Sequence, residues 1–337
     1  MPGKVTITRR GLLGTAVAGM AMSALPVGAA PAPRDRWVLL GTSGGPIPRK
    51  TRAQPANLLQ IGNRSYLIDL GAGVTHQLVL AGVELSSIDV AFISHLHLDH
   101  SAGLASFLAL DWVDAAMRRM RSTPVQIYGP PGTELVVEET VKSISIQADI
   151  FRAESPRATP PDKWFAGHAI REAGPVEFYR DDLLRVTAVE NSHYSTMKPV
   201  EHPYGRDMSF SYRFETPRRS IVYTGDTGPS PAVERLARDA DVLISEVIDL
   251  KGVVGDIRRQ TAGTNIDETP MIHHMELEHL TPANVGAIAG RAKVRKLVLT
   301  HFGLAPGTTA INRKYMLSEI RKHYQGPVVF GTDLMVV

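Results

Sequence analysis

The segment ISHLHLDHSAGL places His95, His97, Asp99 and His100 within six residues, directly after an apolar run that predicts a strand. A strand end followed by a loop can aim all four side chains at one point, whereas a helix would scatter them around its axis. Imidazole nitrogens and carboxylate oxygens are ligands for zinc, manganese and iron. The spacing therefore predicts a metal site with enough ligands for two ions.

Three later segments repeat this arrangement: VENSHYS contains His193, VYTGDTG contains Asp226 and LVLTHFG contains His301. Each potential ligand stands where an apparent strand meets a loop. Any one of them alone could equally be a structural residue, and it is the recurrence at strand ends that indicates a shared centre. The chain has no cysteine, which excludes disulfides and thiolate ligands.

Other motifs give weaker signals. The glycine-rich LGTSGGP matches neither a dinucleotide fingerprint nor a P-loop and predicts a turn. Six further histidines have no ligand-like spacing, and we expect them to be surface or structural residues: His76, His168, His202, His273, His274 and His323.

Short strands and helices alternate around these residues. WVLLGT, LLQIG, SYLIDLG, SIDVAFISH, VQIYG, LRVTAVE, SFSYRFET, SIVYTGD, DVLISEV, VRKLVLTHF and VVFGTDLMVV predict strands. VTHQLVLAGV, GTELVVEETVKSI, PAVERLARDA and TPANVGAIAGRA predict helices. This mixed order in two successive halves indicates sheets inside and helices outside, and the Pro-rich stretch 153–164 predicts a long surface loop.

The HxHxDH pattern followed by His, Asp and His resembles the metallo-β-lactamase superfamily over nearly all of the chain after residue 32. The resemblance implies an α/β (α+β) fold, a four-layer αββα sandwich of two mixed β-sheets flanked by helices. It also implies two divalent metal ions, for which zinc is expected and manganese or iron stays open. It assigns His95, His97 and His193 to one metal, Asp99, His100 and His301 to the other, Asp226 to a bridging position, and Asp69 to a supporting one.

The opening LLGTSGGP, the strand LISEV and the run HLTPANVGAIAGRAKVRKLVLTHF resemble the tRNase Z-like and arylsulfatase-like branch. In that branch a glutamate pairs with a histidine ahead of the last ligand, and the matching residues are Glu246 and His279. Such a carboxylate would hold the imidazole in one tautomer, so that it could protonate a leaving oxygen while Asp99 orients the nucleophile. The alternative for His279 is a surface residue that caps a helix.

One feature departs from tRNA-processing members, which carry a long RNA-gripping arm between the ligands that match His193 and Asp226. Here 32 residues separate those positions, and they predict a hairpin. Without the first 30 residues the chain has 34 basic and 34 acidic residues, so the formal charge of +3 falls to zero. A tRNA substrate is therefore not expected. Substrate selectivity is expected between His100 and His193, around Trp112, DAAMRRMR and the 153–164 loop.

The N-terminus resembles a twin-arginine export signal, with Arg9 and Arg10 ahead of an apolar run and with small residues near Ala30. It predicts a signal peptide over residues 1–32, a hydrolase domain over 33–337, and a periplasmic or secreted protein. The alternative is an uncleaved membrane anchor, although the run is short for a span of about 20 residues. No later segment is long and apolar enough to cross a bilayer, and family habit suggests a homodimer.

These observations predict an exported hydrolase with two metals, which can lower the pKa of a shared water from about 15.7 toward neutrality. The leading substrate class is a small-molecule phosphodiester or sulfate ester. The alternative on the same centre is a carboxylic ester, lactone or β-lactam. A third possibility, of a different class, is a binding or scaffold protein that kept the fold without catalysis.

Overall fold

The computed structural model describes residues 34–118, 123–155, 158–198 and 200–337, and residues from Pro33 onward form one unit. Two seven-stranded sheets organise it. The first sheet, in spatial order, consists of β16 (Met335–Val336), β1 (Asp35–Gly41), β2 (Ala56–Ile61), β3 (Arg64–Leu70), β4 (Ile88–Phe92), β5 (Val125–Gly129) and β6 (Phe165–Ala169).

The second sheet is built from the later part of the chain. In spatial order it consists of β15 (Val328–Phe330), β14 (Lys296–Gly303), β13 (Val242–Ile248), β12 (Ser220–Tyr223), β11 (Phe210–Glu215), β8 (Arg185–Glu190) and β7 (Val176–Arg180). A small hairpin stands apart from both sheets and pairs β9 (Glu201–His202) with β10 (Gly205–Arg206).

Helices cover the outer face of each sheet. The first half contributes α1 (Val74–Leu80), α2 (Leu98–Ser101), α3 (Leu104–Arg118), α4 (Thr133–Ser143) and α5 (Ser145–Glu154). The second half contributes α6 (Pro231–Leu236), α7 (Leu250–Thr261), α8 (Thr269–Leu277), α9 (Pro282–Arg291) and α10 (Arg313–Ile320). Two 3-10 turns occupy Leu85–Ser87 and Pro161–Lys163.

The alternation of side chains in β1 shows why the sheets are buried on both faces. Trp37 and Leu39 point into the core between the two sheets, and Val38 and Leu40 point into the core between the first sheet and its helices. Between the sheets, the ring of Trp37 meets that of Phe214 edge to face at 5.3 Å. Successive side chains of a strand face opposite ways, so strands that are apolar throughout need a layer on each side. The predicted αββα sandwich is confirmed.

Parallel strands bring the candidate ligands to one end of the sandwich. In the first sheet β3 runs parallel to β4, and in the second β12, β13 and β14 are parallel to one another. The sheets are joined at this end, because Phe210 N donates to Ser94 O and Tyr212 OH donates to Ile93 O. Carboxyl ends of parallel strands form the usual ligand-binding edge of α/β sheets.

Two local predictions differ from the structure, and one stretch has elements that the sequence did not indicate. Asp99 and His100 lie in the one-turn helix α2 rather than in a loop. The stretch 153–164, predicted as a loop, begins with the end of α5 and contains the turn Pro161–Lys163. The chain between Glu246 and His279, for which the sequence predicted no element, forms α7 and α8.

The predicted signal peptide, residues 1–32, lies outside the described residues. Residues 119–122, which include the end of the DAAMRRMR segment, also lie outside them. Within the described ranges, no helix combines the length and apolar character needed to span a membrane.

Candidate metal centre

Three histidines from separate segments form a first ligand group: His95, His97 and His193. Nδ1 of His97 lies 3.2 Å from Nε2 of His95 and 3.0 Å from Nε2 of His193. His95 and His193 are fully buried, and His97 is half-buried at the floor of a cleft. Three imidazole nitrogens that converge in this way can hold a zinc-like cation.

A second ligand group consists of Asp99, His100, Asp226 and His301, all buried. Nε2 of His301 lies 3.1 Å from Oδ2 of Asp226 and 3.4 Å from Oδ2 of Asp99. Nε2 of His100 lies 3.2 Å from Oδ1 of Asp226. The sequence therefore identified side chains that the fold brings together at one point.

Asp226 lies between the two groups. Its Oδ2 is 4.0 Å from Nε2 of both His95 and His193, in addition to its close contact with His301. Oδ1 of Asp226 and Nε2 of His100 are buried 3.2 Å from each other, but they are not aligned for a hydrogen bond and have no other partner. Buried polar atoms without partners are rare in proteins and often mark a missing ion. The donor set, all nitrogen and oxygen, fits two divalent cations with Asp226 available to both.

The local backbone explains how neighbouring residues reach both groups. His97 is extended, with φ −60° and ψ 149°, and the chain then enters α2, which turns Leu98 outward and keeps Asp99 and His100 buried. Oδ2 of Asp99 also accepts a hydrogen bond from Gly45 N at 3.1 Å. The predicted turn LGTSGGP therefore lies beside the centre.

Asp69, near the end of β3, orients His100 of the second ligand group through a hydrogen bond. Its carboxylate accepts hydrogen bonds from Ser94 N (2.7 Å), Ser94 Oγ (2.9 Å), Tyr223 OH (2.7 Å) and His100 Nδ1 (2.8 Å). Asp69 has φ +57°, a left-handed conformation that is unusual for a residue other than glycine. Because Nδ1 of His100 donates to Asp69, its Nε2 is left as the atom that can bind a metal.

His193 is held by a residue that the sequence did not indicate. Its Nδ1 donates to the carbonyl oxygen of Glu278 at 3.0 Å. The Glu278 side chain is buried and accepts hydrogen bonds from Thr196 N (2.6 Å) and Thr196 Oγ1 (2.8 Å), and from Nδ1 of His274. Glu278 thereby ties the loop that carries His193 to the end of α8.

His274, predicted to be a surface or structural residue, belongs to the site instead. Its ring centroid is 5.3 Å from that of His193 and 5.2 Å from that of His279, and it lines the cleft. The available sequence signal was the spacing of His274 and Glu278, which are four residues apart and so share one helix face.

Glu246 and His279 meet as predicted from the resemblance. Nδ1 of His279 donates to Oε2 of Glu246 at 2.9 Å, and Oε1 of Glu246 accepts from Thr227 N at 2.6 Å. Burial alone would lower the pKa of His279, but the carboxylate of Glu246 outweighs it and raises that pKa. His279 is 8% exposed and lines the cleft, so it does not cap a helix at the surface.

The two ligand groups differ in their affinity for protons. Burial, reinforced for His95 by the neighbouring His100, holds the pKa values of His95 and His193 well below the ordinary value. For His301, burial acts in the same direction, but the carboxylate of Asp226 outweighs it and raises the pKa to about 10. The pKa of His100 is also raised well above the ordinary value, because Asp226, Asp69 and Asp99 outweigh its burial.

The cleft above the ligands is formed by other residues than those expected. Trp112 is buried, packs against Phe151 and donates through Nε1 to Thr159 O. None of the described residues of DAAMRRMR or of 153–164 lines the cleft, and the expectation that this region sets substrate selectivity stays a prediction. One wall of the cleft comes from α7 and α8. These two helices follow β13 in the chain, and β13 ends where the ligands meet.

Comparisons with known proteins agree with this geometry. A family profile described as "Beta-lactamase superfamily domain" matches residues 64–302. Ribonuclease Z of Mycobacterium bovis (strain BCG / Pasteur 1173P2) is 31% identical over 298 residues, which cover 88% of this chain and 95% of that protein. Ribonuclease Z of Mycobacterium tuberculosis (strain H37Rv) is 30% identical over the same shares of both chains.

Solved structures show the same fold at lower identity. The metallo-β-lactamase fold protein YhfI from Bacillus subtilis has a TM-score of 0.61 at 20% identity, covering 91% of this chain and 99% of its own. The short form of human tRNase Z has a TM-score of 0.56 at 22% identity, covering 90% and 98%. A diphosphatase from the PhnP family has a TM-score of 0.58 at 17% identity, covering 90% and 97%.

Proposed function

Because the chain belongs to the metallo-β-lactamase superfamily, a family of hydrolases, we propose that it cleaves a phosphodiester or a sulfate ester. The observation that carries this proposal is the position of the Glu246–His279 pair beside ligand groups that share Asp226. Relatives at about 30% identity are named ribonuclease Z and act on phosphodiesters.

The proposed centre holds two divalent cations, most simply zinc. Such ions lower the pKa of water and neutralise charge on the oxygens of an ester. The first would be held by His95, His97 and His193, and the second by Asp99, His100 and His301, with Asp226 shared between them.

Residues of the chain would orient the attacking water and protonate the leaving oxygen. Asp99, fixed by Gly45 N, would orient the attacking water through its carboxylate. His279 has its Nδ1 hydrogen bonded to Glu246, which leaves Nε2 to give a proton to the departing oxygen. A general acid of this kind contributes a factor of about 10²–10⁴ to the rate.

A small-molecule ester, rather than tRNA, is the proposed substrate even though the relatives are named ribonuclease Z. Binding of a nucleic acid requires lysines and arginines placed for its phosphates. Among the described residues that line the cleft, Arg49 is the one lysine or arginine, and its guanidinium donates to the carbonyl oxygens of Ala305, Thr308 and Leu304. Between His193 and Asp226 the described chain forms only the short β9–β10 hairpin and the strands β11 and β12.

We further propose that residues 1–32 are a twin-arginine signal and that the hydrolase acts in the periplasm or outside the cell. Replacement of Arg9 and Arg10 by lysine should leave precursor in the cytoplasm, as followed by fractionation. Mature protein in the periplasm at unchanged levels would contradict export by this route.

The function is tested with the chain from about residue 33, loaded with zinc or manganese. Hydrolysis of bis(p-nitrophenyl) phosphate, p-nitrophenyl sulfate and a chromogenic cephalosporin or lactone is compared side by side. Chelator-sensitive cleavage of the phosphodiester or the sulfate, lost in His97→Ala and kept in the exposed control His323→Ala, supports the proposal. A clear preference for the carbonyl substrates would replace it with carboxylic ester, lactone or β-lactam hydrolysis. No turnover with both metals bound would indicate a scaffold protein.

A further inference from the structure

The cleft above the ligand groups has a volume of about 550 Å³. This lies within the range of pockets that bind small organic molecules. Its floor is polar and consists of metal-centre residues: His97, Asp99, Asp226, His279 and His301. The walls have a different composition, and they indicate what kind of group would lie above the reacting atoms.

One wall is the apolar face of the α7–α8 pair. Val253 and Ile257 are four residues apart on α7, and Met271 and Met275 are four residues apart on α8, so each pair shares one helix face. The buried anchors of these helices are different residues: Val254 on α7 and Ile272 on α8. The pairs that face the cleft are therefore not needed to attach the helices to the protein.

Other apolar side chains that line the cleft are exposed. Leu98, which stands between the ligands His97 and Asp99, is 70% exposed, and Ile47 is 64% exposed. Met271, on α8, is 53% exposed. Exposed apolar side chains gathered around one cleft, rather than scattered over a surface, indicate a site that an apolar ligand covers.

The polar groups of the cleft walls offer few hydrogen-bond donors to a second anionic group. Nη1 and Nη2 of Arg49 donate to backbone carbonyl oxygens, and its Nε is buried without a partner, so the guanidinium keeps its charge but has no terminal nitrogen left for a ligand. The carboxylate of Asp256 forms a salt bridge with Arg259 and accepts a hydrogen bond from Gln260 of its own helix, so it adds little net charge to the wall. Among the described lining residues, a phosphate or carboxylate far from the metal centre would therefore meet one cationic side chain, Arg49, whose terminal nitrogens already have partners.

We propose that this cleft binds the leaving group of the substrate, and that this group is apolar and larger than a single phenyl ring. The inference rests on the proposed function and names its substrate class: a phosphate or sulfate ester of a fused aromatic or similarly bulky apolar alcohol. In the reaction the oxygen of water bonds to phosphorus or sulfur and releases one proton to solvent, from which His279 is reprotonated after the step. The bond to the oxygen of the alcohol breaks, its electron pair stays on that oxygen, and a proton from Nε2 of His279 completes the free alcohol.

Turnover of matched esters tests this substrate class. Three esters of the same phosphate or sulfate are compared: phenyl, 2-naphthyl and 4-carboxyphenyl. Their phenolic leaving groups have similar acidity but differ in size and charge. The expected order of kcat/KM is 2-naphthyl, then phenyl, then 4-carboxyphenyl, with steps of about tenfold, since small changes of apolar contact in a pocket are worth roughly 10–200-fold. Ile257→Gln should reduce the naphthyl-to-phenyl ratio to near one. Ile266→Gln is the matched control, because Ile266 is exposed in the same α7–α8 segment but does not line the cleft.

A binding measurement separates failure of this inference from failure of the proposed function. 2-Naphthalenesulfonate and benzenesulfonate are not hydrolysed, and calorimetry on the metal-loaded protein gives the Kd of each. We expect the naphthalene compound to bind about tenfold more tightly, with the difference lost in Ile257→Gln and kept in Ile266→Gln.

Esters cleaved without any preference for the naphthyl group, together with equal Kd values, would overturn the inference while the hydrolase proposal stands. A tenfold difference in Kd without turnover of any ester would instead retain the apolar site and overturn the hydrolase proposal.

Discussion

Nδ1 of His279 lies 2.9 Å from Oε2 of Glu246, although the two residues are 33 positions apart in the chain. The other carboxylate oxygen of Glu246 accepts from Thr227 N, the residue that follows Asp226. The glutamate thus connects a general-acid candidate to the segment that carries the shared ligand. Because Nδ1 is committed to the carboxylate, Nε2 is the nitrogen left for substrate.

Loss of the His279 imidazole should reduce kcat without loss of metal. We expect His279→Ala to lower kcat about 10²–10⁴-fold on substrates with poor leaving groups, since the departing oxygen would receive no proton. Steady-state kinetics with metal analysis of the same samples measures this effect, with His323→Ala as the exposed control. Unchanged turnover in His279→Ala would remove the proposed role.

The pH profile should depend on Glu246. His279 acts as an acid only when protonated, and Glu246 raises its pKa, so activity should fall as pH rises through that pKa. In Glu246→Gln the carboxylate is gone, the pKa of His279 drops, and the alkaline fall in kcat should move to lower pH. A pH–rate profile of both proteins provides the test, and identical alkaline limbs would contradict it.

Metal binding should release protons at one ligand group and not at the other. The pKa of His301 is raised to about 10 and that of His100 is also raised, so both are protonated in the metal-free chain at neutral pH. His95 and His193 have lowered pKa values and are already neutral. Zinc affinity of the second group should therefore increase as pH rises, about tenfold per pH unit for each proton displaced.

Calorimetric zinc titrations at about pH 6 and pH 8, in buffers of different ionisation enthalpy, measure this release. His301→Ala should abolish the binding step with the larger proton release, and His97→Ala should keep it. Equal proton release in both steps of the unmodified protein would contradict the assignment of protons to the second group.

Glu278 should affect zinc binding without touching the metal. Its carbonyl oxygen orients His193, and its carboxylate holds Thr196 and His274. Glu278→Gln weakens those charge-assisted hydrogen bonds, and we expect about a 10–100-fold loss of zinc affinity, the usual effect of removing a partner that orients a ligand. Chelator competition measures it, and the exposed Glu276→Gln on the same helix is the control. Equal affinities in the two variants would show that the Glu278 carboxylate does not support the site.

Asp181 should contribute to stability through contacts between the sheets. Its carboxylate accepts hydrogen bonds from Tyr66 at 2.7 Å and Tyr179 at 2.9 Å, and from Arg64 at 3.0 Å. Hydrogen bonds to a charged group are worth about 1.5–3 kcal/mol, so Asp181→Asn should lower the free energy of unfolding by about that amount. Asp182→Asn, whose side chain is 69% exposed, should change it by less than about 0.5 kcal/mol.

The same carboxylate gives this contribution a pH dependence. Burial acts to raise the pKa of Asp181, but the hydrogen bond from Tyr66 and its other donors outweigh burial and lower that pKa. The stabilisation is therefore complete above the ordinary aspartate pKa of about 4 and is lost as pH falls below it. Denaturant unfolding at a series of pH values should show Asp181→Asn approaching the unmodified protein in acid. A difference that stays constant in acid would contradict the assignment.

The sequence by itself determined the layers and most of the centre. Strands such as Trp37–Leu40, apolar at every position, require a packed layer on both faces, and that requirement is local. The run from His95 to His100 placed four ligand types within six residues. Recurrence at strand ends indicated the later ligands, and the resemblance supplied their grouping and the Glu246–His279 pair, which the structure brings together.

Only the tertiary structure showed the rest. His193 and Glu278 are 85 residues apart, and their hydrogen bond exists because the loop after β8 and the end of α8 meet above the second sheet. The roles of His274 and of the α7–α8 wall have the same origin. Periodicity reports which face of an element is apolar, but not which other element covers that face. The apolar pairs on α7 and α8 face the cleft because the sheet positions both helices above the ligand groups.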